Sequence, residues 1–179
     1  MRRSVTTWSL ELRSPHELRP GRPAPGLEVR QARLPSPELS RFLYVTVGGP
    51  WYWIDRLPWS RGRWLAHLDR PELETWLGWV EGTPVGWFEL ERKADGDVEI
   101  AMFGLLPAFI GRGLGGALLT EAVRRAWAMP GTRRVWVHTC SLDGPAARRN
   151  YEARGFRLLR EETAEVELPD EPPGSWPTS

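Results

Sequence analysis

Residues 98–116 read VEIAMFGLLPAFIGRGLGG, and ALLTEAVRRAWA follows directly. Val98 to Leu106 is an apolar run interrupted once by an ionisable residue, Glu99, and predicts a deeply buried strand. Beyond Pro107 the glycines crowd together. Leu114, Leu118, Ala122 and Ala126 then recur every four residues, which predicts a helix with one apolar face. Glycines ahead of a helix let the backbone turn tightly and approach a ligand with no Cβ in the way. The helix's first N–H groups and its dipole attract a phosphate there. A strand, a glycine turn and a helix in this order therefore predict a diphosphate cradle. Gly111, Gly113 and Gly116 also satisfy G-x-G-x-x-G, the dinucleotide fingerprint. In that fingerprint the first glycine stands at the strand's tip, whereas Pro107-Ala108-Phe109-Ile110 intervene here. The next strand, moreover, ends in His138-Thr139-Cys140 without an acid for a ribose. Nicotinamide-dinucleotide binding is the weaker reading, and a glycine turn that binds nothing is the bland one.

Outward from this stretch, Thr75–Val80 and Val85–Glu91 flank Glu81-Gly82-Thr83-Pro84 and predict an antiparallel hairpin, with Ala94-Asp95-Gly96-Asp97 turning the chain into the buried strand. Downstream, Arg134–Cys140 predicts a β-branched strand and Pro145–Arg154 a helix stopped by Gly155. Phe156–Leu159 and Thr163–Leu168 supply the last strand material. Upstream, Leu27–Arg33 alternates as a strand. Ser36-Pro37-Glu38 then opens a helix that ends near Gly48-Gly49-Pro50, and Ser60 caps a short helix through Trp64 and Leu68. Residues 1–25 read as an extension holding at most one edge strand, Val5–Leu12. Residues 26–168 form one domain, and 169–179 a flexible tail.

Composition narrows the function. With 24 basic against 23 acidic residues, no positive excess points to nucleic acid or an anionic membrane. One cysteine, Cys140, rules out an internal disulfide or a multi-cysteine metal site and fits the reducing cytoplasm. His16 and His67 have no ligand spacing, so no metal is expected. No apolar h-region opens the chain and no run of about 18 apolar residues crosses a membrane. Eleven tryptophans must be buried or must hold a ligand.

Two motifs in order are specific. Ile110-Gly111-Arg112-Gly113-Leu114-Gly115 after a buried strand, and Asn150-Tyr151-Glu152-Ala153-Arg154-Gly155-Phe156 closing a later helix, resemble the acyl-CoA loop (Q/R-x-x-G-x-G/A) and the Y-E-x-x-G-F segment of the GNAT superfamily of N-acetyltransferases. The hairpin Val80–Gly86 is similar to the family's second and third strands, and the resemblance covers roughly residues 26–160. Ile110 departs from the usual Gln or Arg, which removes one polar contact and leaves the backbone cradle.

The resemblance implies an α/β fold: a mixed, largely antiparallel central sheet flanked by helices, with a splayed strand pair holding acetyl-CoA. It implies that Phe103, Gly104 and Leu105 contact the thioester and pantetheine, with a bulge easiest at Gly104 and the Leu105 N–H facing the carbonyl. Ile110, Gly111, Arg112, Gly113, Leu114, Gly115 and Gly116 would contact the diphosphate. Direct attack of a primary amine on the thioester needs a base and an acid. Glu99 lies where the family's glutamate base lies; flanked by Val98 and Ile100, its pKa is expected to rise. The alternative is a solvated carboxylate. Tyr151 occupies the position of the family's general acid, against a packing tyrosine. His138, on one strand face with Trp136 and Cys140, reads as a core histidine before a base. Trp53, Asp55 and Trp59, within the variable segment 50–70, would form an aromatic wall with an acid for a cationic amine, or simply core. The acceptor is then a small-molecule or peptide amine, and a homodimer is left open. The rival of another class is a noncatalytic acyl-CoA-binding sensor or interaction module.

Overall fold

A computed structural model of the chain describes residues 1–174. In chain order the elements are β1 (Arg2–Leu12), β2 (Glu28–Gln31), α1 (Pro37–Gly48), α2 (Arg61–Leu68), β3 (Leu73–Val80), β4 (Thr83–Arg92), β5 (Asp97–Leu105), α3 (Leu114–Ala128), β6 (Arg134–Cys140), α4 (Ala147–Ala153) and β7 (Arg157–Glu167). The seven strands form one sheet in the order β2-β3-β4-β5-β6-β1-β7. Every adjacent pair is antiparallel except β5 with β6. This is the mixed, largely antiparallel architecture expected, and it is incompatible with the parallel doubly wound sheet that a dinucleotide fingerprint would open.

Local chemistry explains most boundaries. Glu81 and Gly82 both take positive φ, 49° and 76°, as a two-residue hairpin turn between twisted strands requires. Ser36 and Ser60 cap α1 and α2 by accepting the N–H of Leu39 at 3.3 Å and of Arg63 at 3.2 Å. On β4, neighbouring Trp87 and Phe88 enter different apolar clusters, so the two clusters lie on opposite faces of the sheet. Leu43 and Val47 of α1 close one face over Leu77 and Trp87. Leu118, Leu119, Ala122 and Val123 of α3, with Tyr151 of α4, close the other over Phe88, Leu90 and Ile100. Each fully buried leucine, isoleucine, valine or phenylalanine among them contributes about 1.5–3 kcal/mol relative to exposure.

The N-terminal segment corrects the sequence reading. β1 is not an edge strand: it lies between β6 and β7, with Thr7–Leu12 paired to Cys140–Val135 and Arg2–Glu11 paired to Glu167–Arg157. Leu10 and Leu12 have no exposed surface, which is what draws the strand inward. The chain after it stays on the body, since the Gly21 N–H donates to the Thr120 hydroxyl at 2.9 Å and the Arg19 N–H to the Arg154 carbonyl at 3.0 Å. The last strand material is one continuous strand, β7, exposed along its whole length. Of the expected tail, residues 169–174 carry no helix or strand and pass against Gly49, where an added Cβ would meet the Gly174 carbonyl oxygen at 2.4 Å. Residues 175–179 lie outside the described residues.

Candidate active site

β5 and β6 pair only from Asp97–Glu99 to Arg134–Trp136. Beyond that point β5 continues to Leu105 and β6 to Cys140 with no partner between them, so the sheet opens as a wedge. A bulge aims β5 along this wedge. Leu90 faces Ile100 but Glu89 faces Met102, leaving Ala101 as the extra residue. The bulge is therefore three residues before Gly104, where the sequence reading put it. Gly104 serves another purpose: a Cβ there would meet Val47 Cγ1 of α1 at 2.3 Å, so glycine lets α1 lie close on the strand.

The wedge holds a cavity of about 900 Å³ that reaches through to both faces of the sheet. Phe103, Gly104 and Leu105 line it from β5, and Val137, His138 and Cys140 from β6. On the α3 side Ile110, Gly111, Gly115 and Gly116 line it, as do Asn150 and Tyr151. Gly111 and Gly113 have φ of 80° and 78°, and an added Cβ at either meets nothing within 4 Å. Their glycine is required by conformation, not by space. Gly113 is the N-cap of α3 and supplies no side-chain acceptor, so the first N–H groups of the helix are left for an anion. The Asn150 side-chain amide donates to the Gly115 carbonyl at 3.1 Å and ties this turn to α4. Arg112, by contrast, places its guanidinium over the Phe109 ring at 5.3 Å, and Leu114 turns into the core at 9% exposure. Neither lines the cavity.

Tyr151 stands edge-on to Phe103 and Phe156, with centroids 6.1 and 5.9 Å away, and is 6% exposed. Burial, and then the charge of Asp143, push its pKa well above the ordinary tyrosine value. The phenol keeps its proton at neutral pH, the form that a hydrogen-bond donor or general acid must have.

Glu99 departs from expectation. Burial acts to raise its pKa, but hydrogen bonds from His138 and Lys93 outweigh burial, and the carboxyl is held below its usual 4.5. Its Oε1 is 3.2 Å from His138 Nδ1 and its Oε2 is 3.1 Å from Lys93 Nζ. It does not line the cavity; His138 does, with half of its side chain exposed. His138 is thus not a core histidine. One sequence signal did exist: β6 alternates, and Val135 and Val137 claim the core face, so His138 must face away from it. That the opposite face opens to a cleft is a tertiary fact. Burial raises the pKa of Cys140, leaving a thiol and no nucleophile.

The segment expected to hold the acceptor divides. Trp53 and Asp55 line the cavity with Tyr44, Trp51, Tyr52 and Ile54. Trp53 is fixed by its indole N–H donating to Asp143 Oδ1 at 3.1 Å and by Gly48, where a Cβ would strike the indole at 2.2 Å. Trp59 lies outside the cavity because its ring packs on Trp64 and His67, at 5.1 and 5.2 Å, and under the Arg56 guanidinium at 5.1 Å. Arg56 donates in turn to Glu89 Oε2 at 2.9 Å, and Glu89 has no exposed surface. Among the described residues no three His, Cys, Asp or Glu side chains gather to hold a metal, and no helix is long and apolar enough to cross a membrane.

Comparison with known proteins agrees with this geometry. No curated protein matches the chain. Among solved structures, a GCN5-related N-acetyltransferase from Sphaerobacter thermophilus superposes with a TM-score of 0.68 at 21% identity, over 92% of this chain and 52% of that one. A spermidine N-acetyltransferase from Vibrio cholerae, solved with CoA and spermine, gives 0.60 at 16% identity, over 74% and 81%. An aminoglycoside N-acetyltransferase solved with CoA gives 0.53 at 21%, over 81% and 94%. The chain spans between 52 and 61% of the length of three of the larger structures it matches. At these identities the likeness is one of fold. The family described as Acetyltransferase (GNAT) family matches residues 38–156, and the chain belongs to that family.

Proposed function

We propose that the protein transfers an acetyl group from acetyl-CoA to a primary amine by direct attack, without a covalent enzyme intermediate. The observation that carries this reading is the wedge between β5 and β6, which is continuous with the glycine turn at one end and the Trp51–Asp55 wall at the other. A diphosphate on the N-terminus of α3, held by the backbone N–H groups of residues 111–116, would direct pantetheine between the unpaired strands, whose free N–H and C=O groups it can bond as a strand would. The thioester sulfur then comes to Tyr151, whose protonated hydroxyl would serve as general acid for the departing thiolate. The backbone N–H of Leu105 is the donor proposed for the thioester carbonyl oxygen. Glu99 and its partners supply the basic end of the cleft. Trp53 and Asp55 would receive the amine, the acid favouring its cationic form and the aromatic ring its face. The molecule offers the same wedge to a small amine or to a peptide N-terminus.

The test is release of the CoA thiol from acetyl-CoA across a panel of primary amines, run beside thermal shift with acetyl-CoA and NAD. Expected are amine-dependent thiol release and stabilisation by acetyl-CoA alone. Stabilisation by acetyl-CoA with no release for any amine would instead establish the noncatalytic acyl-CoA-binding module, and stabilisation by NAD alone would overturn both.

A further inference from the structure

Resting on the acetyl-transfer reading, we infer that His138 is the group that takes the proton from the attacking amine, and that Glu99 is a positioning residue acting through it. Three observations lead there. His138 lines the cavity and Glu99 does not. Both oxygens of Glu99 are already engaged, Oε1 by His138 Nδ1 at 3.2 Å and Oε2 by Lys93 Nζ at 3.1 Å, and its side chain is 9% exposed. The imidazole is 51% exposed, and the carboxylate accepts from Nδ1–H, which leaves Nε2 as the nitrogen carrying the lone pair. An anion fixed on one ring nitrogen strengthens the other as a base.

The proton account closes. A cationic amine gives one ammonium proton to His138 Nε2, and the freed lone pair attacks the thioester carbon. As the tetrahedral adduct collapses, the carbon–sulfur bond breaks with its electron pair on sulfur. Tyr151 donates its proton to that sulfur, and the second proton leaving nitrogen restores Tyr151 through solvent. His138 returns its proton to solvent, so one proton is released per amide formed. Lys93 has its own part: it helps to hold Glu99 ionised, and it bridges Glu99 to Glu91, at 3.1 and 2.8 Å, on the side away from His138 Nδ1.

The charges acting on His138 are Glu99 from β5, Lys93 from the turn before it and Asp143 just beyond its own strand; Cys140, two residues on, is a neutral thiol, Asp55 lines the same cavity, and its partner on β1 is the uncharged Ser9. The Glu99 hydrogen bond raises its pKa above 6.5 against burial, with the charges of Glu99 and Asp143 adding to it and that of Lys93 opposing it. Activity should therefore rise with pH along a limb above 6.5.

The experiment is kcat/KM against pH for the wild type, His138→Gln and Glu99→Gln, with acetyl-CoA affinity measured separately. Expected for His138→Gln is loss of the limb and a fall of about 10²–10⁴-fold, with acetyl-CoA affinity unchanged. Glu99→Gln should keep the limb and move it to lower pH, a shift that neither the amine's own titration nor a merely structural carboxylate would give. A His138→Gln enzyme that keeps both rate and limb, or a Glu99→Gln enzyme that loses the limb altogether, overturns the inference while leaving acetyl transfer standing. A wild type that turns over no amine overturns the acetyl-transfer reading, and this inference with it.

Discussion

The face of the sheet under α1 and α2 carries two clusters of the same composition. In one, Glu89 of β4 meets Arg56 at 2.9 Å and His67 at 3.6 Å. In the other, Glu99 of β5 meets Lys93 at 3.1 Å and His138 at 3.2 Å. Each is a carboxylate, an imidazole and a cation, and in each the hydrogen bonds those partners donate, with the charge of the cation, hold the carboxylate below its usual pKa against burial. They differ in what lies above them. Trp59, Trp64 and Tyr44 surround Arg56, so the first cluster is sealed. The second opens on the cleft through His138 because β6 leaves β5 just beyond Glu99. A sealed charged cluster anchors the chain and has no means of meeting a substrate. An open one can exchange a proton with a bound molecule. Access, not residue type, separates the two clusters.

Arg56→Leu should show the largest effect, since it strands a fully buried carboxylate. About 3–5 kcal/mol of stability should be lost, read as a lower denaturant midpoint, with the pH–rate limb unmoved. A shifted limb would mean the two clusters are coupled and the contrast is false. At the open end, Tyr151→Phe should lower kcat by about 10²–10⁴-fold with little change in Tm, because the ring still packs on Phe103 and Phe156. An unchanged kcat would remove the tyrosine from the chemistry. Gly113→Ala sharpens the view of the cofactor end: about 1–2 kcal/mol of strain at φ 78°, with no clash, should appear as lower Tm and weaker acetyl-CoA binding.

The pH dependence of stability is the smallest effect and the most discriminating. Both glutamates have depressed pKa values, so both clusters add stability that is complete above 4.5 and drains as pH falls through the folded values. His138 has a raised pKa, so its share is complete below 6.5 and drains as pH rises through the folded value. Glu99→Gln should flatten the alkaline drift by less than about 1 kcal/mol, given how exposed the imidazole is. Drift unchanged in that variant would show that the Glu99–His138 pair does not stabilise the fold.

Much of the molecule could be read from short stretches. The caps at Ser36 and Ser60, the hairpin turn at Glu81-Gly82, which the structure tightens to two residues from the four expected, the periodicity of α3 and the alternation of β6 express chemistry between residues a few positions apart. The glycine turn belongs with them, because a positive φ at Gly111 and Gly113 is a demand made by the backbone itself. Other features were not legible. The place of β1 depends on Thr7 meeting Cys140, and the bulge at Ala101 on how β4 slides along β5. The fate of Trp59 was decided by Arg56, which draws three aromatic rings about its guanidinium.

The amino-acid order by itself determined the glycine turn before α3, the helices around it and the place of Tyr151 in the second motif. These rest on local backbone geometry and on spacings that one helix or strand imposes. Only the tertiary structure decided which histidine meets the cleft, which glutamate is sealed and which tryptophans form a wall. Those outcomes depend on solvent access and on charges brought together from distant parts of the chain, and no local pattern encodes the distance between Glu99 and His138.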